Sequence, residues 1–351
     1  MFYSFLYPFL LLLCLCHQNY LRLLVIMRLR PSLLLKAKIR PATHYSRACH
    51  LISLIDMYSL HVMSSYLSAL YAMHLFEKTR ALPYKQGELK LLSSCTQDTL
   101  QWRNRAVKIF IYPQPSPTVE KVLLLHGWDG RSIMFRHIAQ HLQQQGYAVI
   151  APDLPAHGVP KGSKVSFYDL ASFVLHLEAY YGKFSIVIGH STGGLISCMA
   201  ALQGLSFKGL VLMSSPGSYG DMVDKYVSAN RLPARIASSM KRIYQLRYGL
   251  HPDQIGPALY QDIEKPVLIL HDMQDLSISL DSAKALNKAF SRSELITTQN
   301  KGHNGALRDA ATLENISTFI SGAIREEFYA FEKHVFRKNI YSVRLRNSRT
   351  H

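Results

Sequence analysis

Between residues 121 and 324 the sequence alternates between short apolar runs and longer helical runs, and this alternation constrains the fold more than any other feature. The apolar runs are KVLLLHG, YAVIAPD, FSIVIGH, FKGLVLMSS, KPVLILHD and the shorter SELITTQ. They are typical of buried strands, because they are short, rich in branched residues and bounded by turn residues. The runs between them include RSIMFRHIAQHLQQQG, SFYDLASFVLHLEAYYG and LISCMAALQ, and GALRDAATLENISTFISGAI closes the series. Strands that alternate with helices predict an α/β fold with a mostly parallel, doubly wound sheet.

Two other stretches accompany this alternation. Upstream, the sequence predicts a helix over 58–82, ended by Pro83, and then strands over 88–95 and 105–113 that pair as a hairpin or meander. Residues 216–264 separate two predicted strands by more than one crossover helix needs, and they predict two helices broken at Pro233. Such an insertion lies over the carboxyl ends of the strands, where open α/β sheets bind ligands. It is either a lid, which we favour, or an ordinary long crossover.

The net charge of +17 is concentrated at the two ends of the chain. Residues 1–50 carry seven lysines and arginines and residues 337–351 carry five, with no acidic residue in either range. These ends could contact acidic lipid or nucleic acid, or they could be solvated tails. The body between them is only mildly basic and has no nucleic-acid recognition motif, so no nucleic-acid partner is expected.

The N-terminal extension, residues 1–57, has several interpretations. Its apolar run, residues 2–16, is shorter than the ~20 residues that usually span a bilayer, and it lacks the flanks of a secretory signal. It is a membrane anchor within residues 1–30, an arginine-rich transit peptide, or a region upstream of a later start at Met57, Met63 or Met73. The five cysteines form no CxxC pair, which favours a reducing compartment over disulfides or a zinc site. We therefore expect a location in the cytoplasm or at the cytoplasmic face of a membrane.

A serine stands between glycines in GHSTGG, residues 189–194, directly after a predicted strand and directly before a predicted helix. A direct reversal between the two elements forces an unfavourable backbone angle at the middle residue. Gly189 and Gly193 would remove the side chains that clash there. A plain tight turn would use the same glycines, but the pattern also matches the Gly-x-Ser-x-Gly elbow that displays Ser191 above the sheet edge. The elbow interpretation therefore needs partners for the hydroxyl.

The sequence offers these partners in the order that the elbow requires. A serine hydroxyl becomes a strong nucleophile when a base takes its proton and a third group orients that base, and in this architecture an acid and then a histidine follow the serine. After the strand PVLIL, both Asp272 and Asp275 qualify, and we favour Asp275 because Asp272 abuts the strand and can serve to turn the chain. After the last strand stands His303. The predicted triad is Ser191, Asp275 and His303.

The tetrahedral intermediate of acyl transfer also needs two backbone N–H donors. Thr192 N–H is one candidate, because it lies at the N-terminus of the helix after Ser191. The loop HGWDGR supplies the other, for which we favour Trp128 N–H. Gly127, which lets the backbone approach the substrate, and His190 are the candidate substrate-binding residues. No metal site is expected.

The same loop contains three side chains whose roles the sequence leaves open. The Trp128 indole either lines an acyl pocket or packs against the core. Asp129 is expected to cap the following helix. Arg131 either meets an anionic substrate or forms an ion pair, and we favour the ion pair.

The combination of HGWDGR, GHSTGG, HDMQD and GHNGALRD resembles the α/β-hydrolase family, in particular a bacterial subgroup of uncharacterised serine hydrolases. DLPAHG, residues 153–158, is similar to the family's Asp-x-x-Gly-x-Gly loop. The resemblance covers roughly residues 85–325, and a helix before the first strand would extend the domain to 58–330, with 331–351 as a basic tail. It implies an eight-stranded sheet and hydrolysis of an ester, thioester or amide without a cofactor.

The leading hypothesis is a serine hydrolase that cleaves a carboxylic ester, thioester or lysophospholipid through an acyl-enzyme. Its partner would be a small-molecule ester or a lipid, with membrane association if residues 1–30 form an anchor. Serine at the elbow argues against the epoxide-hydrolase and dehalogenase branches, which use aspartate there. The alternative is a non-catalytic ligand-binding protein on the same fold.

Overall fold

A computed structural model describes residues 64–80, 83–112, 120–158 and 163–325. The predictions for the N-terminal extension and for the basic tail therefore lie outside the described residues. In the ranges that are described, no helix is both long enough and apolar enough to cross a membrane.

The described ranges contain one eight-stranded sheet in the order β1-β2-β4-β3-β5-β6-β7-β8. Its strands are β1 (Thr96–Trp102), β2 (Arg105–Tyr112), β3 (Lys121–Leu125), β4 (Ala148–Pro152), β5 (Ile186–His190), β6 (Gly209–Met213), β7 (Val267–Asp272) and β8 (Ser293–Thr298). Strands β3 to β8 pair in parallel, whereas β1 and β2 are antiparallel. Every residue of β5, β6 and β7 is buried, as expected for strands covered on both faces. The predicted mostly parallel, doubly wound sheet is confirmed.

Helices cover the sheet, and some of them pack mainly against other helices. They are α1 (Ser65–Phe76), α2 (Gln86–Leu92), α3 (Arg136–Gln144), α4 (Phe167–Tyr181), α5 (Thr192–Leu202), α6 (Tyr219–Ala229), α7 (Ala234–Tyr248), α8 (Pro257–Tyr260), α9 (Leu280–Ala289), α10 (Gly302–Gly305) and α11 (310–325). A short 3-10 turn, Ser132–Phe135, leads into α3. The predicted break at Pro233 is confirmed, since this residue immediately precedes α7.

The structure corrects the sequence-based prediction upstream of β3. The strand predicted over 88–95 is wrong, because these residues belong mainly to α2 and the strand β1 begins at Thr96. Lys85 N–H donates to the Glu88 carboxylate at 2.8 Å and fixes the start of α2, whose Leu, Lys and Glu residues favour a helix. A hairpin does form, but it pairs β1, rather than residues 88–95, with β2, through a two-residue turn with positive φ at both Arg103 and Asn104. The helix predicted as far as residue 82 ends earlier, at Phe76.

The insertion between β6 and β7 consists mainly of α6 and α7, and it is fastened to the rest of the fold. Helix α7 packs against α1, which precedes the sheet in the chain. The ring of Phe76 at the end of α1 lies 5.0 Å from Tyr226 and 6.2 Å from Tyr219 of α6. Within the insertion, the buried Lys241 forms ion pairs with Asp224 at 2.7 Å and Asp253 at 2.6 Å. These contacts give α6 and α7 a defined position.

Candidate active site

Ser191 occupies the turn between β5 and α5, with φ +53° and ψ −126°. This conformation is rare for a residue with a side chain, and such strain typically costs about 1–3 kcal/mol. Two backbone hydrogen bonds hold it, from Ser191 N to Met213 O at 2.8 Å and from Gly194 N to Ser191 O at 3.0 Å. The turn therefore presents Ser191 at the carboxyl end of β5.

The flanking glycines are required because the turn brings backbone segments into close contact. A Cβ atom at Gly193 would lie 2.0 Å from Leu125 O, and one at Gly189 would lie 2.5 Å from Gly194 N. Real Cβ atoms do not approach other heavy atoms so closely, and the atoms they would meet belong to the backbone. The spacing of glycines in the sequence thus has a steric cause.

His303 and Asp275 lie together at the same edge of the sheet, and the structure joins them by a hydrogen bond of 2.7 Å between His303 Nδ1 and Asp275 Oδ2. The Asp275 carboxylate also accepts hydrogen bonds from Ser277 N at 2.7 Å and Ile278 N at 3.0 Å. Burial opposes ionisation of Asp275, but these hydrogen bonds outweigh burial and lower its pKa below the usual value. An ionised Asp275 accepts a hydrogen bond from Nδ1–H, so in the neutral imidazole Nε2 is the nitrogen without a proton.

Asp272, the other candidate acid, has a different set of partners. Its carboxylate accepts hydrogen bonds from the backbone N–H groups of Gln274, Lys301 and Gly302 and from the Thr298 hydroxyl, at 2.8–3.0 Å. It therefore binds the main chain just before His303, rather than the imidazole itself. The preference for Asp275 over Asp272 agrees with this geometry.

His190, which directly precedes Ser191 in the chain, contacts His303. His190 Nε2 lies 2.9 Å from His303 O, and the two rings are 4.9 Å apart. Across the described part of the chain, no hydrogen bond links the Ser191 hydroxyl directly to the His303 ring. Catalytic hydrogen bonds are often long in unliganded sites and shorten when substrate binds. The structure thus brings Ser191, His303 and Asp275 to one edge of the sheet, without a hydrogen bond between the Ser191 hydroxyl and the His303 ring.

The loop after β3 lies against Ser191. A Cβ atom at Gly127 would lie 2.9 Å from Ser191 Cβ and 3.3 Å from Ser191 Oγ, so a larger residue does not fit there. Gly130 N donates to Gly127 O at 2.9 Å and closes the loop into a turn. The loop that carries Gly127 and Trp128 therefore lies beside Ser191.

His126 holds this loop by hydrogen bonds, a role that the sequence did not reveal. Its Nδ1–H donates to Gly127 O at 2.8 Å, and its Nε2 accepts from Leu154 N at 2.9 Å. Burial lowers the pKa of His126 well below its usual value, so the ring is neutral and uses both nitrogens. His126 thereby ties the loop beside Ser191 to the segment DLPAHG.

The Trp128 indole packs among aromatic rings. It stacks on Phe167 with ring centroids 5.1 Å apart and meets His157 edge-on at 5.2 Å. Phe167 in turn lies 5.1 Å from Tyr219 of α6. Trp128 therefore packs against other rings while it keeps part of its surface exposed.

The two charged residues of this loop have structural partners. Asp129 does not cap a helix, as the sequence predicted. It has φ +54°, it accepts a hydrogen bond from Arg80 N at 2.7 Å, and it forms an ion pair with Arg80 at 3.0 Å. Arg131 forms the ion pair that we favoured, with Glu88 at 3.2 Å, and its guanidinium lies 4.6 Å above the centre of the Tyr84 ring.

Comparison with known proteins agrees with this architecture. The family model described as "Alpha/beta hydrolase family" matches residues 122–314, which is more than half of the chain. An uncharacterized hydrolase of Bacillus subtilis, YugF, is 33% identical over 116 residues, which are 32% of this chain and 42% of that protein. A carboxylesterase of the same organism is 26% identical over 161 residues, which are 44% of this chain and 62% of that protein.

Each of these two matches therefore spans less than two thirds of the relative. Among solved structures, a putative lipase from Acinetobacter baumannii shares the fold with a TM-score of 0.54 and 20% identity, covering 69% of this chain and 95% of the other. The match to the family model, together with the sheet order and the turn at Ser191, shows that this chain belongs to the alpha/beta hydrolase family.

Proposed function

We propose that this protein is a serine hydrolase that cleaves carboxylic esters through an acyl-enzyme. The observation that carries the proposal is the strained turn that presents Ser191 at the edge of the sheet where His303 is paired with Asp275. A nucleophile, a base with one free nitrogen and an acid that orients the base are the parts that acyl transfer needs. The 26% identity to a Bacillus subtilis carboxylesterase supports an ester as the substrate.

In the first half of the proposed reaction, His303 Nε2 accepts the proton of the Ser191 hydroxyl while Oγ attacks the carbonyl carbon of the ester. Asp275 remains ionised, holds Nδ1–H and stabilises the imidazolium that forms. The tetrahedral intermediate then collapses: the bond to the alkoxy oxygen breaks, and His303 returns the proton to the departing alcohol. In the second half, a water molecule attacks the acyl-enzyme by the same route and releases the acid and free Ser191.

The backbone N–H groups of Trp128 and Thr192 are the proposed donors to the oxyanion. Thr192 is the first residue of α5, where N–H groups have no partner inside the helix and favour negative charge. The closeness of Gly127 to Ser191 supports the N–H of the neighbouring Trp128 as the second donor. Loss of one such donor typically costs about 3 kcal/mol of barrier.

The surroundings favour an ester with an apolar acyl part. The partly exposed Trp128 lies between the elbow and the aromatic rings that connect to α6. We propose that α6 and α7 form a lid over this edge, as their place between β6 and β7 suggests. A small-acyl ester, a thioester and a lysophospholipid are the substrates to compare, and residues 1–30 would favour the lipid if they form an anchor.

Intact-mass spectrometry after reaction with a fluorophosphonate probe tests the nucleophile. We expect one adduct on the wild-type protein, none on Ser191→Ala, and an unchanged adduct on Ser197→Ala. Ser197 is a matched control, because it lies in α5, the helix that follows Ser191, and its hydroxyl donates to Gly193 O at 2.7 Å. No adduct on folded wild-type protein would overturn the proposal and favour a ligand-binding protein instead. Full esterase activity in Ser191→Ala would overturn the assignment of Ser191 as the nucleophile.

A panel of p-nitrophenyl esters of increasing acyl length, one thioester and one lysophospholipid then identifies the substrate class. An apolar acyl site predicts that kcat/KM rises with acyl length by up to about 15-fold per two methylene groups, since each buried CH₂ contributes about 0.8 kcal/mol. A profile that is flat or falls from acetate onward contradicts the apolar site but not the nucleophile.

A further inference from the structure

His190, the residue before the elbow serine, is 2% exposed and lies against the main chain of His303. Since a carbonyl oxygen can only accept, the 2.9 Å contact between His190 Nε2 and His303 O requires that Nε2 carry the proton. The ring therefore donates a hydrogen bond to the backbone of the residue whose side chain is paired with Asp275.

The other ring nitrogen of His190, Nδ1, is buried and makes no hydrogen bond with the described residues. Burying an unpaired polar atom lowers the stability of the fold, and a phenyl or aliphatic side chain at the same position would avoid that loss. Packing alone therefore does not explain a histidine here, and the hydrogen bond to His303 O is the interaction that an apolar residue could not supply.

Two buried side chains hold consecutive backbone groups of the segment that carries His303. Asp272, at the end of β7, accepts from Lys301 N at 3.0 Å and Gly302 N at 2.9 Å. His190, at the end of β5, donates to His303 O. The main chain of residues 301–303 is thus fixed from two strand ends, one of which also leads directly into Ser191.

We infer that His190 is a positioning residue, which fixes the main chain of His303 relative to Ser191 so that Nε2 of His303 stays within reach of the nucleophile. This inference rests on the proposed function. It assigns His190 a role through His303, whereas its sequence position suggested contact with substrate. A displacement of about 1 Å in a reacting group can lower the rate roughly 100-fold. A hydrogen bond that fixes the main chain of His303 therefore affects the rate of the reaction.

His190 also remains uncharged while it does this. Burial is the main cause that lowers the pKa of His190 to about 4, although the hydrogen bond to His303 O opposes the shift. A protonated His190 would repel the imidazolium that forms on His303 during the reaction. A neutral donor holds the carbonyl without adding a positive charge next to the developing one.

Two substitutions separate the hydrogen bond from the volume of the side chain. His190→Phe keeps a ring but removes the donor, and His190→Gln can place an N–H near the position of Nε2. Leu142→Ala is the control for loss of stability, because Leu142 is fully buried in α3, a different helix from those that carry the site. For each variant we would measure the rate of fluorophosphonate labelling, kcat and KM on one short ester across pH, the melting temperature, and the low-field proton NMR signal of the His303–Asp275 hydrogen bond.

For His190→Phe we expect about a 100-fold loss in kcat and in the labelling rate, with KM changed less than about threefold, since the loss concerns the alignment of reacting groups. We also expect a shifted or broadened low-field signal and a displaced acid limb of the pH profile. His190→Gln should recover at least about tenfold of the loss. Leu142→Ala should lower the melting temperature but keep the wild-type kcat and NMR signal.

Failure of this inference can be told apart from failure of the proposed function. If wild-type protein labels at Ser191 and His190→Phe labels as fast, with the wild-type pH profile, the positioning role is overturned alone. A His190→Gln variant no better than His190→Phe also overturns it. A wild-type protein that forms no serine adduct overturns the proposed function and this inference with it.

Discussion

Asp272 carries a carboxylate that is fully buried and accepts four hydrogen bonds. Oδ1 accepts from Gln274 N at 3.0 Å and Gly302 N at 2.9 Å, and Oδ2 accepts from the Thr298 hydroxyl at 2.8 Å and Lys301 N at 3.0 Å. Replacing this residue by asparagine changes one atom. We predict that it lowers the free energy of unfolding by about 2–4 kcal/mol.

The size of this loss in unfolding free energy depends on which of the four hydrogen-bond donors can find another acceptor. The NH₂ group of asparagine cannot accept a hydrogen bond, so two of the four donors lose theirs. A hydroxyl such as that of Thr298 can reverse and accept from the new NH₂ group, but a backbone N–H cannot. At least one backbone N–H is left buried and unpaired, at about 1–3 kcal/mol, and the remaining bonds lose the extra strength that the negative charge gives them.

The dependence on pH gives the prediction a second test. Burial raises the pKa of Asp272, but hydrogen bonds led by those from Lys301 N and the Thr298 hydroxyl outweigh it, so the folded-state pKa lies below its usual value. Stability from such a group is complete above the unfolded-state pKa, near 3.9, and is lost as the pH falls through the lower folded-state pKa. Asparagine has no such proton to bind, so the gap in stability between wild type and Asp272→Asn should narrow below about pH 4.

Urea unfolding followed by circular dichroism at pH 7 and at pH 3.5 measures both effects. Asp281→Asn is the control, because that carboxylate is 88% exposed in α9 and should change stability by less than about 0.5 kcal/mol. The Asp272 variant should also label more slowly at Ser191, since the segment before His303 loses its anchor. An unfolding free energy for Asp272→Asn within about 0.5 kcal/mol of the control at pH 7 would refute the reasoning.

Two further predictions concern the insertion and the elbow. Lys241→Met leaves the carboxylates of Asp224 and Asp253 without their shared partner. We expect the free energy of unfolding, measured in urea, to fall by about 1–2 kcal/mol, and limited digestion to cut faster between α6 and α7. A stability equal to that of the wild type would show that these ion pairs do not hold the insertion in place. Gly193→Ala should abolish labelling and destabilise the fold by more than about 3 kcal/mol, whereas Gly322→Ala, in an open part of α11, should stabilise it by up to about 1 kcal/mol. A melting temperature that rises for both glycine variants would show that helix propensity, not steric contact, governs Gly193.

The parallel part of the fold could be predicted because its strands leave a strong signal in the sequence. Runs such as IVI in β5 and VLIL in β7 are buried on both faces, so they are continuously apolar and short. The stretch 88–95 lacked that signal. Its leucines alternate with polar residues over too few positions to separate a strand from one face of a short helix, and the capping interaction at Lys85 decided the outcome.

The candidate site could be predicted as far as it depends on chain order and on residue type. Ser191, Asp275 and His303 were each expected at the end of a particular strand, and the structure brings all three to one edge. The choice between Asp272 and Asp275 used only their distance from the strand. The wrong role for Asp129 has a related cause, since its ion pair with Arg80 joins residues 49 positions apart.

The roles of His126, His190 and Asp272 could not be predicted, because each depends on a backbone group that the fold brings from elsewhere. His190 and His303 are 113 residues apart, and nothing in the residue type of either indicates a bond between a ring and a carbonyl. Any of the sixteen histidines would look the same in the sequence. Buried polar side chains that bind main-chain groups leave no periodic pattern and no spacing rule.

The elbow, in contrast, could be recognised from the sequence, because its geometry restricts which residues can flank the serine. Its geometry excludes side chains at Gly189 and Gly193 by contact with backbone atoms at 2.0–2.5 Å, and only glycine satisfies such a constraint. The strain at Ser191 itself, at φ +53°, leaves no comparable mark, because a glycine there would be relaxed but would have no hydroxyl. A serine kept in a conformation that glycine would adopt more easily, between two glycines that permit the turn, is therefore best explained by the chemistry of its side chain. The same argument applies to the buried, half-satisfied ring of His190, whose one hydrogen bond ends on the backbone of His303.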